Sequence, residues 1–315
     1  MDTEILYLFK DVGDKYLSGE DICKKFNISR SAVWKHIEKL RKTGYNISAV
    51  PHLGYKLVGL PDNLLADDIK YKLKTKIIGK NIVSFLHVES TNDTAYSMAE
   101  KNAKEGTVVI AQKQSKGKGR LGRKWLSDKG GIYLSCILRP DKRPDQVQEF
   151  TLFTALSVVD AIKQTTGVQA DIKWPNDIFI DGKKVCGVLT EMKAQPDKID
   201  FIVVGIGINV NNDVHLDTSV SLKGKTGKKI CAIDLTRNLL CNIEREYEIF
   251  TKKGFKDIRE KIKKVSYTIG KHVQVDMYGK TYKGKAVDID PQGALVIKMK
   301  NGKRQKVISG DVHLS

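Results

Sequence analysis

Gln112-Lys113-Gln114-Ser115-Lys116-Gly117-Lys118-Gly119-Arg120-Leu121-Gly122-Arg123-Lys124-Trp125 decides the fold together with the residues just C-terminal to it. Gly117 to Gly122 formally match G-x-G-x-x-G, and a dinucleotide-binding fold needs a helix opening directly after that fingerprint. Here the chain runs instead through Trp125-Leu126-Ser127 and a Gly130-Gly131 turn into the alternating stretch Ile132–Leu138, which reads as a strand. The glycines match and the context does not, so the doubly wound reading is set aside. From Lys113 to Lys124, six of twelve residues are basic and none is acidic. Glycines let such a loop bend tightly and turn its N–H groups on an anion, while its arginines offset charge that grows during phosphoryl transfer. No HRD, DFG or Walker A motif accompanies it, which excludes a protein kinase and a P-loop NTPase.

Outward from this loop, strand-like runs at Ile82–His87, Thr107–Gln112, Ile178–Ile180, Val185–Met192 and Phe201–Val210 alternate with helical periodicity over Asn92–Asn102, Gln146–Gln164 and Ile233–Thr251. Short strands joined by turns such as Asp181-Gly182 imply an α+β core with a largely antiparallel sheet. Three further segments sit at element ends, where functional side chains collect. Glu89-Ser90-Thr91-Asn92 closes a strand and opens a helix. Lys173-Trp174-Pro175-Asn176-Asp177 joins two strands, and the hairpin returns through Lys184-Val185-Cys186-Gly187. Gly205-Ile206-Gly207-Ile208-Asn209-Val210 ends a late strand. Trp174 reads as core rather than ligand.

Before residue 60 the pattern changes. Ile5, Leu6, Leu8, Phe9 and Val12 mark one amphipathic helix; Ser18-Gly19-Glu20-Asp21 fits a capping box opening a second. Asn27 turns the chain, Ser29 caps a third helix along Val33, Ile37 and Leu40, and Gly44 stops it. Tyr45 to Val50 and Tyr55 to Val58, joined by Pro51-His52-Leu53-Gly54, form a hairpin. Helix, turn, helix and wing is the layout of a winged helix-turn-helix, whose third helix enters the DNA major groove. Ser29, Arg30, Ser31 and Lys35 are the expected contacts, with His52 on the wing touching backbone or minor groove. The segment's charge, ten basic against seven acidic residues, is modest, so the pattern carries this reading.

After Ser266, strand-like runs at His272–Met277, Thr281–Asp288, Ala294–Met299 and Gln305–Ile308 are separated by turns at Tyr278-Gly279, Pro291-Gln292-Gly293 and Asn301-Gly302, as in a small β-barrel. The whole chain has a formal net charge of +18, which favours anionic partners. It shows no apolar run near the roughly 18 residues a membrane span needs. The acidic start Met1-Asp2-Thr3-Glu4 is unlike a signal peptide, so a cytoplasmic location is expected. Five scattered cysteines without a CxxC pair argue against a disulfide framework or a zinc site.

The basic loop, Ser90-Thr91-Asn92, Lys173 to Asp177 with Lys184 and Gly187, and Gly205 to Val210, in that order behind a winged helix, together resemble the biotin–protein ligases, specifically the bifunctional kind that doubles as a biotin-operon repressor. The resemblance covers essentially the whole chain. It implies a multidomain α+β protein: a winged helix-turn-helix over 1–60, a central α/β ligase core with a largely antiparallel sheet over 64–266, and an SH3-like β-barrel over 267–315. It implies ATP and Mg²⁺ as cofactors, biotin as substrate, biotinyl-5′-adenylate as intermediate, and transfer to a lysine of the biotin carboxyl carrier protein of acetyl-CoA carboxylase. Carried over by position, Ser90, Thr91, Asn92, Gln114, Gly117, Gly187 and Gly205 would hold biotin; Arg123, Trp125, Asn176 and Asn209 would hold the nucleotide. Arg120 and Lys184 would meet both at the carboxylate–phosphate junction and act catalytically. Asp177 would approach the metal or orient the incoming lysine. The loop departs from the family's G-R-G-R at Lys118, which keeps the charge and loses the planar fork.

Two other readings stand beside this one: a biotin-sensing repressor without catalysis, and a lipoate-type ligase on the same core. The basic loop speaks against the first, and the polar Ser90, Thr91, Asn92 and Gln114 set suits a ureido ring better than a dithiolane. A regulator of this kind would form a ligand-promoted homodimer reading a two-fold operator of biotin genes.

Overall fold

The chain divides early, at the point where one set of apolar side chains is fully buried and a second begins. The computed structural model describes residues 1–61, 63–277 and 279–314, and it separates into two units, Met1–Asn63 and Leu64–Ser315. In the first, α1 (Asp2–Val12), α2 (Gly19–Phe26) and α3 (Arg30–Lys42) bury Ile5, Leu6, Phe9, Ile22, Val33, Ile37 and Leu40 against one another. Two of the helix starts are chemically marked: Ser18 Oγ accepts from Asp21 N–H and Ser29 Oγ from Ala32 N–H, while Asn27 ends α2 in the left-handed conformation. The wing is β1 (Asn46–Val50) antiparallel to β2 (Gly54–Gly59). Arg41 fastens α3 to it, donating from Nε and Nη2 to the Ile47 carbonyl at 3.0 and 2.6 Å. Leu17 and Tyr55 exchange backbone hydrogen bonds and so add a third rung.

The second unit opens with α4 (Ala66–Lys70), then β3 (Ile82–Phe85), α5 (Thr91–Glu100), β4 (Val108–Ala111), β5 (Ile132–Leu138), α6 (Val147–Thr166), β6 (Asp171–Lys173), β7 (Asp177–Ile180), β8 (Lys183–Ala194) and β9 (Ile199–Ile208). The seven strands make one sheet in the order β3-β4-β5-β9-β8-β7-β6. Only the β3–β4 pair is parallel; the other neighbours are antiparallel. Strand alternation sends side chains to two cores. Val109, Ile137, Phe201 and Val203 meet Ala95 and Ala99 of α5 on one face. Val108, Ile110, Leu134, Cys136 and Val204 meet α6 and the later helices on the other. Those helices are α7 (Leu222–Thr226), α8 (Ala232–Lys253) and α9 (Lys256–Lys264). The sheet ends therefore project between two helical layers, and loops there gather the polar motifs.

The C-terminal strands β10 (His272–Met277), β11 (Lys280–Ile289), β12 (Leu295–Lys298), β13 (Arg304–Val307) and β14 (Asp311–Leu314) form an antiparallel five-stranded sheet ordered β13-β12-β11-β10-β14. Of the expected Tyr278-Gly279 turn, Tyr278 lies outside the described residues. Val273, Val275, Leu295 and Ile297 join the same hydrophobic core as α6 and α8. Trp174 is buried where core and barrel meet: its indole N–H donates to the Gly293 carbonyl at 2.9 Å and its backbone N–H to Thr268 Oγ1 at 3.0 Å. All five cysteines are free. Among the described residues no helix is long and apolar enough to cross a membrane.

One buried acid makes this packing pH-dependent. Glu149, in the first turn of α6, is 4% exposed, and burial raises its carboxyl pKa to about 7, with Lys142 and Gln146 opposing. A carboxyl whose folded pKa exceeds its unfolded value stabilises the fold fully below the unfolded value, and that contribution is lost as pH rises through the folded one. Between pH 4.5 and 7 the fold is therefore expected to lose up to about 3 kcal/mol of stability, with the unfolding midpoint falling accordingly. Glu149→Gln should flatten that slope, read by thermal melts across the pH range; an unchanged slope refutes the assignment.

Candidate functional site

The polar motifs converge on a cavity of about 230 Å³. Its floor comes from the start of α5. Ser90, Thr91 and Asn92 are nearly inaccessible polar residues, and each is held by partners rather than left to rotate. Ser90 Oγ caps α5 by accepting from Asp93 N–H. Gln114 Oε1 accepts from Thr91 N–H at 2.7 Å and Oγ1 at 3.0 Å, while its Nε2 donates to Ser127 Oγ at 2.8 Å. Asn92 Nδ2 donates to Glu191 Oε2 at 2.7 Å, and Ser135 Oγ lies within hydrogen-bond distance of both Thr91 Oγ1 and Asn92 Oδ1. A network satisfied from behind presents fixed donors and acceptors forward.

Glycine is required at two floor positions by what stands on them. A Cβ on Gly205 would lie 2.0 Å from Asn92 Oδ1, and one on Gly207 would lie 2.4 Å from Trp125 Nε1. The indole thus rests on bare backbone, near Gly187 as well, and its buried N–H finds no hydrogen-bond partner among the described residues. Lys184 Nζ sits 5.3 Å from the Trp125 ring centroid and 2.7 Å from Asp177 Oδ1.

Above the floor, the basic loop is largely charge-compensated. Lys113 pairs with Asp128 at 3.3 Å, Lys116 with Glu89 at 2.9 Å, Lys118 with Asp93, and Arg123 with Asp311. Its bond to Asp93 raises the Lys118 pKa. Arg120 differs: it donates to neutral oxygens, Asn176 Oδ1 at 3.1 Å and the Gly310 carbonyl at 3.5 Å. Burial lowers its pKa, yet guanidinium stays charged in any folded protein. Arg120 is a loop cation in the pocket lining with no carboxylate bonded to it among the described residues.

Of the residues expected from sequence, Ser90, Thr91, Asn92, Gln114, Arg120, Arg123, Trp125, Asn176, Asp177, Lys184, Gly187 and Gly205 line this cavity. Gly117 and Asn209 are not among its lining residues. A Cβ on Gly117 would strike the Trp125 carbonyl at 2.4 Å, so this glycine shapes the loop. Asn209 is 7% exposed, and its Oδ1 accepts from Asn212 Nδ2 at 3.0 Å; it braces the strand end. The lining also includes Lys173, whose pKa burial lowers, together with Gly310, Asp311, Val312 and His313 of the barrel edge. Lys173 opens the Lys173-Trp174-Pro175-Asn176-Asp177 motif. The barrel residues, nearly 190 positions from the loop they touch, carry no local signal.

In the first unit, Ser29, Arg30, Ser31, Lys35 and His52 are all exposed. Ser29 Oγ is engaged as the α3 cap and lies 2.9 Å from Ser31 Oγ. His52 stands in the wing turn with φ 63°.

This arrangement of loop, floor and sheet is that of the Biotin/lipoate A/B protein ligase family, whose model matches residues 85–209. An HTH domain model matches 3–56 and the Biotin protein ligase C terminal domain model 268–315. The chain belongs to the bifunctional biotin ligase/repressor family. It is similar to the bifunctional ligase/repressor BirA of Bacillus subtilis, at 38% identity covering 99% of this chain and 98% of that relative. It resembles the Escherichia coli BirA at 28% identity over 90% and 88%. Among solved structures, the biotin protein ligase of Aquifex aeolicus in complex with biotin and ATP matches with a TM-score of 0.66 and 32% identity, covering 75% of this chain and 99% of that one.

The seating of Trp125 is open to direct test. In a Trp34→Phe background, which leaves Trp125 and the buried Trp174 as the indoles, Gly207→Ala should expel the Trp125 ring. Acrylamide quenching of fluorescence should then rise about twofold or more, a Cβ contact under 3 Å being one that real structures do not sustain. Unchanged quenching refutes the contact.

Proposed function

We propose that the protein is an ATP-dependent biotin–protein ligase that also acts as a biotin-responsive transcriptional repressor. The observation that carries the ligase half is the meeting, in one cavity, of a polar pre-bonded floor with two cations, Arg120 and Lys184, beside a flat indole. Ser90, Thr91, Asn92 and Gln114 take the ureido ring, a polar set that a dithiolane would leave unpaired. Gly187 and Gly205 let the bicycle approach backbone. Trp125 covers the adenine, Asn176 and Arg123 meet the nucleotide, and Gly117 and Asn209 contribute by shaping loop and strand end.

Bringing a carboxylate against an α-phosphate sets two anions in contact, and the cost must be met by fixed positive charge. Lys184 exchanges part of its attraction to Asp177 for the carboxylate–phosphate junction, while Arg120, tied to neutral oxygens, keeps its charge free for the substrate. A carboxylate oxygen attacks the α-phosphorus, pyrophosphate leaves, and biotinyl-5′-adenylate remains. The acceptor lysine amine then attacks the biotinyl carbonyl, AMP leaves, and an amide forms. The donor chemistry fits a magnesium ion held mainly by the nucleotide: the described residues contain no cluster of three or more His, Cys, Asp or Glu, and Mg²⁺ characteristically takes one carboxylate beside phosphates and water. Asp177 is the residue to touch it, and the ion would supply charge neutralisation on the phosphates.

Domain limits of 1–60, 64–266 and 267–315 accompany this reading, with the carrier protein of acetyl-CoA carboxylase as acceptor and a ligand-promoted homodimer on operator DNA of biotin genes. The substrate set fits a cytoplasmic enzyme, and the net charge of +18 suits acidic and nucleic-acid partners.

Biotin-dependent ATP–pyrophosphate exchange tests the ligase half. Lys184→Ala and Arg120→Ala should each lower kcat by about 10²–10³-fold; wild-type exchange without biotin dependence rejects the reading. Anisotropy on fragments upstream of biotin synthesis and uptake genes, at fixed salt, tests the repressor half. Tightening should occur with biotin plus MgATP and not with biotin alone; equal affinity in all conditions rejects adenylate as corepressor.

A further inference from the structure

An unexpected aromatic stands in the middle of the reader face. Trp34 is 55% exposed, although α3 has three buried positions, Val33, Ile37 and Leu40, on its inner side. Helical spacing sets Trp34 one turn beyond Arg30 and Ser31 and one turn before Glu38, whose carboxylate is paired with Arg41; Arg30, Ser31 and the following residue Lys35 are exposed. The inner side is closed to it, because Val33 and Ile37 already fill the three-helix core. A single exposed apolar side chain is ordinary on a protein surface; what singles Trp34 out is its place, on the third helix that a winged helix-turn-helix presents to the DNA groove.

We infer that Trp34 reads sequence, by packing its indole on the 5-methyl group of thymine in the major groove. The inference rests on the reading of this unit as a DNA-binding winged helix, and commits it to a chemistry. The occupant follows from charge: Arg30, one turn before the indole, and Lys35, the residue after it, are exposed cations that suit phosphates, whereas an apolar protein partner on this helix would have to desolvate them. Within a major groove, the 5-methyl of thymine is the apolar feature that base edges present. Ser29 and Ser31 share a hydrogen bond at the start of the helix, so the polar contacts and the apolar one lie on successive turns of one face. The remaining tether is rigid: Arg41 bonds the far end of α3 to the wing, which fixes how deeply Trp34 can be presented.

The test uses the full chain with biotin and MgATP. A duplex is enriched by wild-type protein from a random-sequence pool, and then resynthesised with each thymine in turn replaced by uracil, which deletes only the methyl. Wild-type affinity should fall about tenfold at one thymine per half-site, the scale of a single mismatched base pair. Trp34→Ala should bind the thymine duplex about tenfold more weakly and be indifferent to that same replacement. Its plot of log affinity against log salt should keep the wild-type slope, while Lys35→Ala loses about one unit of slope. Circular dichroism and unchanged pyrophosphate exchange establish that each variant is folded. Wild-type affinity for Trp34→Ala, or an identical methyl dependence in both proteins, overturns the inference while leaving the reader in place. Failure of the wild type to enrich any duplex overturns the reader itself and this inference with it.

Discussion

The contact between the Trp125 indole and the uncovered backbone of Gly207 is the interaction on which the ligase site depends. It pins the exit of the basic loop to the centre of the sheet, near the Lys184 ammonium and above the strand end that carries Gly205. The loop's backbone is in turn clasped at both ends. Trp125 N–H donates to the Gly117 carbonyl at 2.9 Å, and Gly119 N–H to the Arg123 carbonyl at 2.7 Å. A glycine-containing loop of this kind would ordinarily sample many conformations. Here a single flat side chain, seated where only glycine leaves room, gives it a floor.

Electrostatics are distributed with the same economy. The six basic residues from Lys113 to Lys124 look in sequence like an undivided positive field. Four of them are instead matched to nearby acids at the periphery, and Arg120 alone of the loop's arginines is directed to neutral oxygens. Exposed pairs of this kind contribute little to stability, so their value lies in orientation. They also give Lys118 a place. Its amine is engaged with Asp93 at the first turn of α5, while Lys118 itself lines the cavity. That position asks for a charge and not for a planar fork, which a lysine satisfies.

Much of the architecture was legible because periodicity and turn chemistry agree over long segments. Ile132–Leu138 is a strand as expected, though buried on both faces rather than alternating, and α6 and α8 differ from their expected limits by a few residues at either end. The short helices α4, α7 and α9 were not anticipated. α4 and α7 span five residues each, too few turns for a period to register. α9 is dominated by lysine, so its two buried residues, Ile258 and Ile262, make a thin stripe. In the site, local motifs were enough for residues that sit at strand and helix ends. They were insufficient for Ser127, Ser135 and Glu191, which act by holding Gln114, Thr91 and Asn92. Such supporting residues have no signature of their own, since a lone serine or glutamate in a strand is common. Asn209, a polar residue at a motif-like strand end, lies outside the cavity lining and accepts from Asn212.

The barrel edge has a temporal meaning. Gly310 and Asp311 complete the pocket from the far end of the chain, receiving Arg120 and Arg123 from residues laid down nearly 190 positions earlier. During synthesis the loop, the floor and the Trp125 indole all emerge well before the wall that closes over them. A nascent chain halted between residues 210 and 310 holds every catalytic motif and still lacks a finished pocket. The reader unit, by contrast, is complete within the first 63 residues. Emergence from the ribosome thus separates the two units in time, all residues of the first being available while the pocket of the second still waits for Gly310 and Asp311.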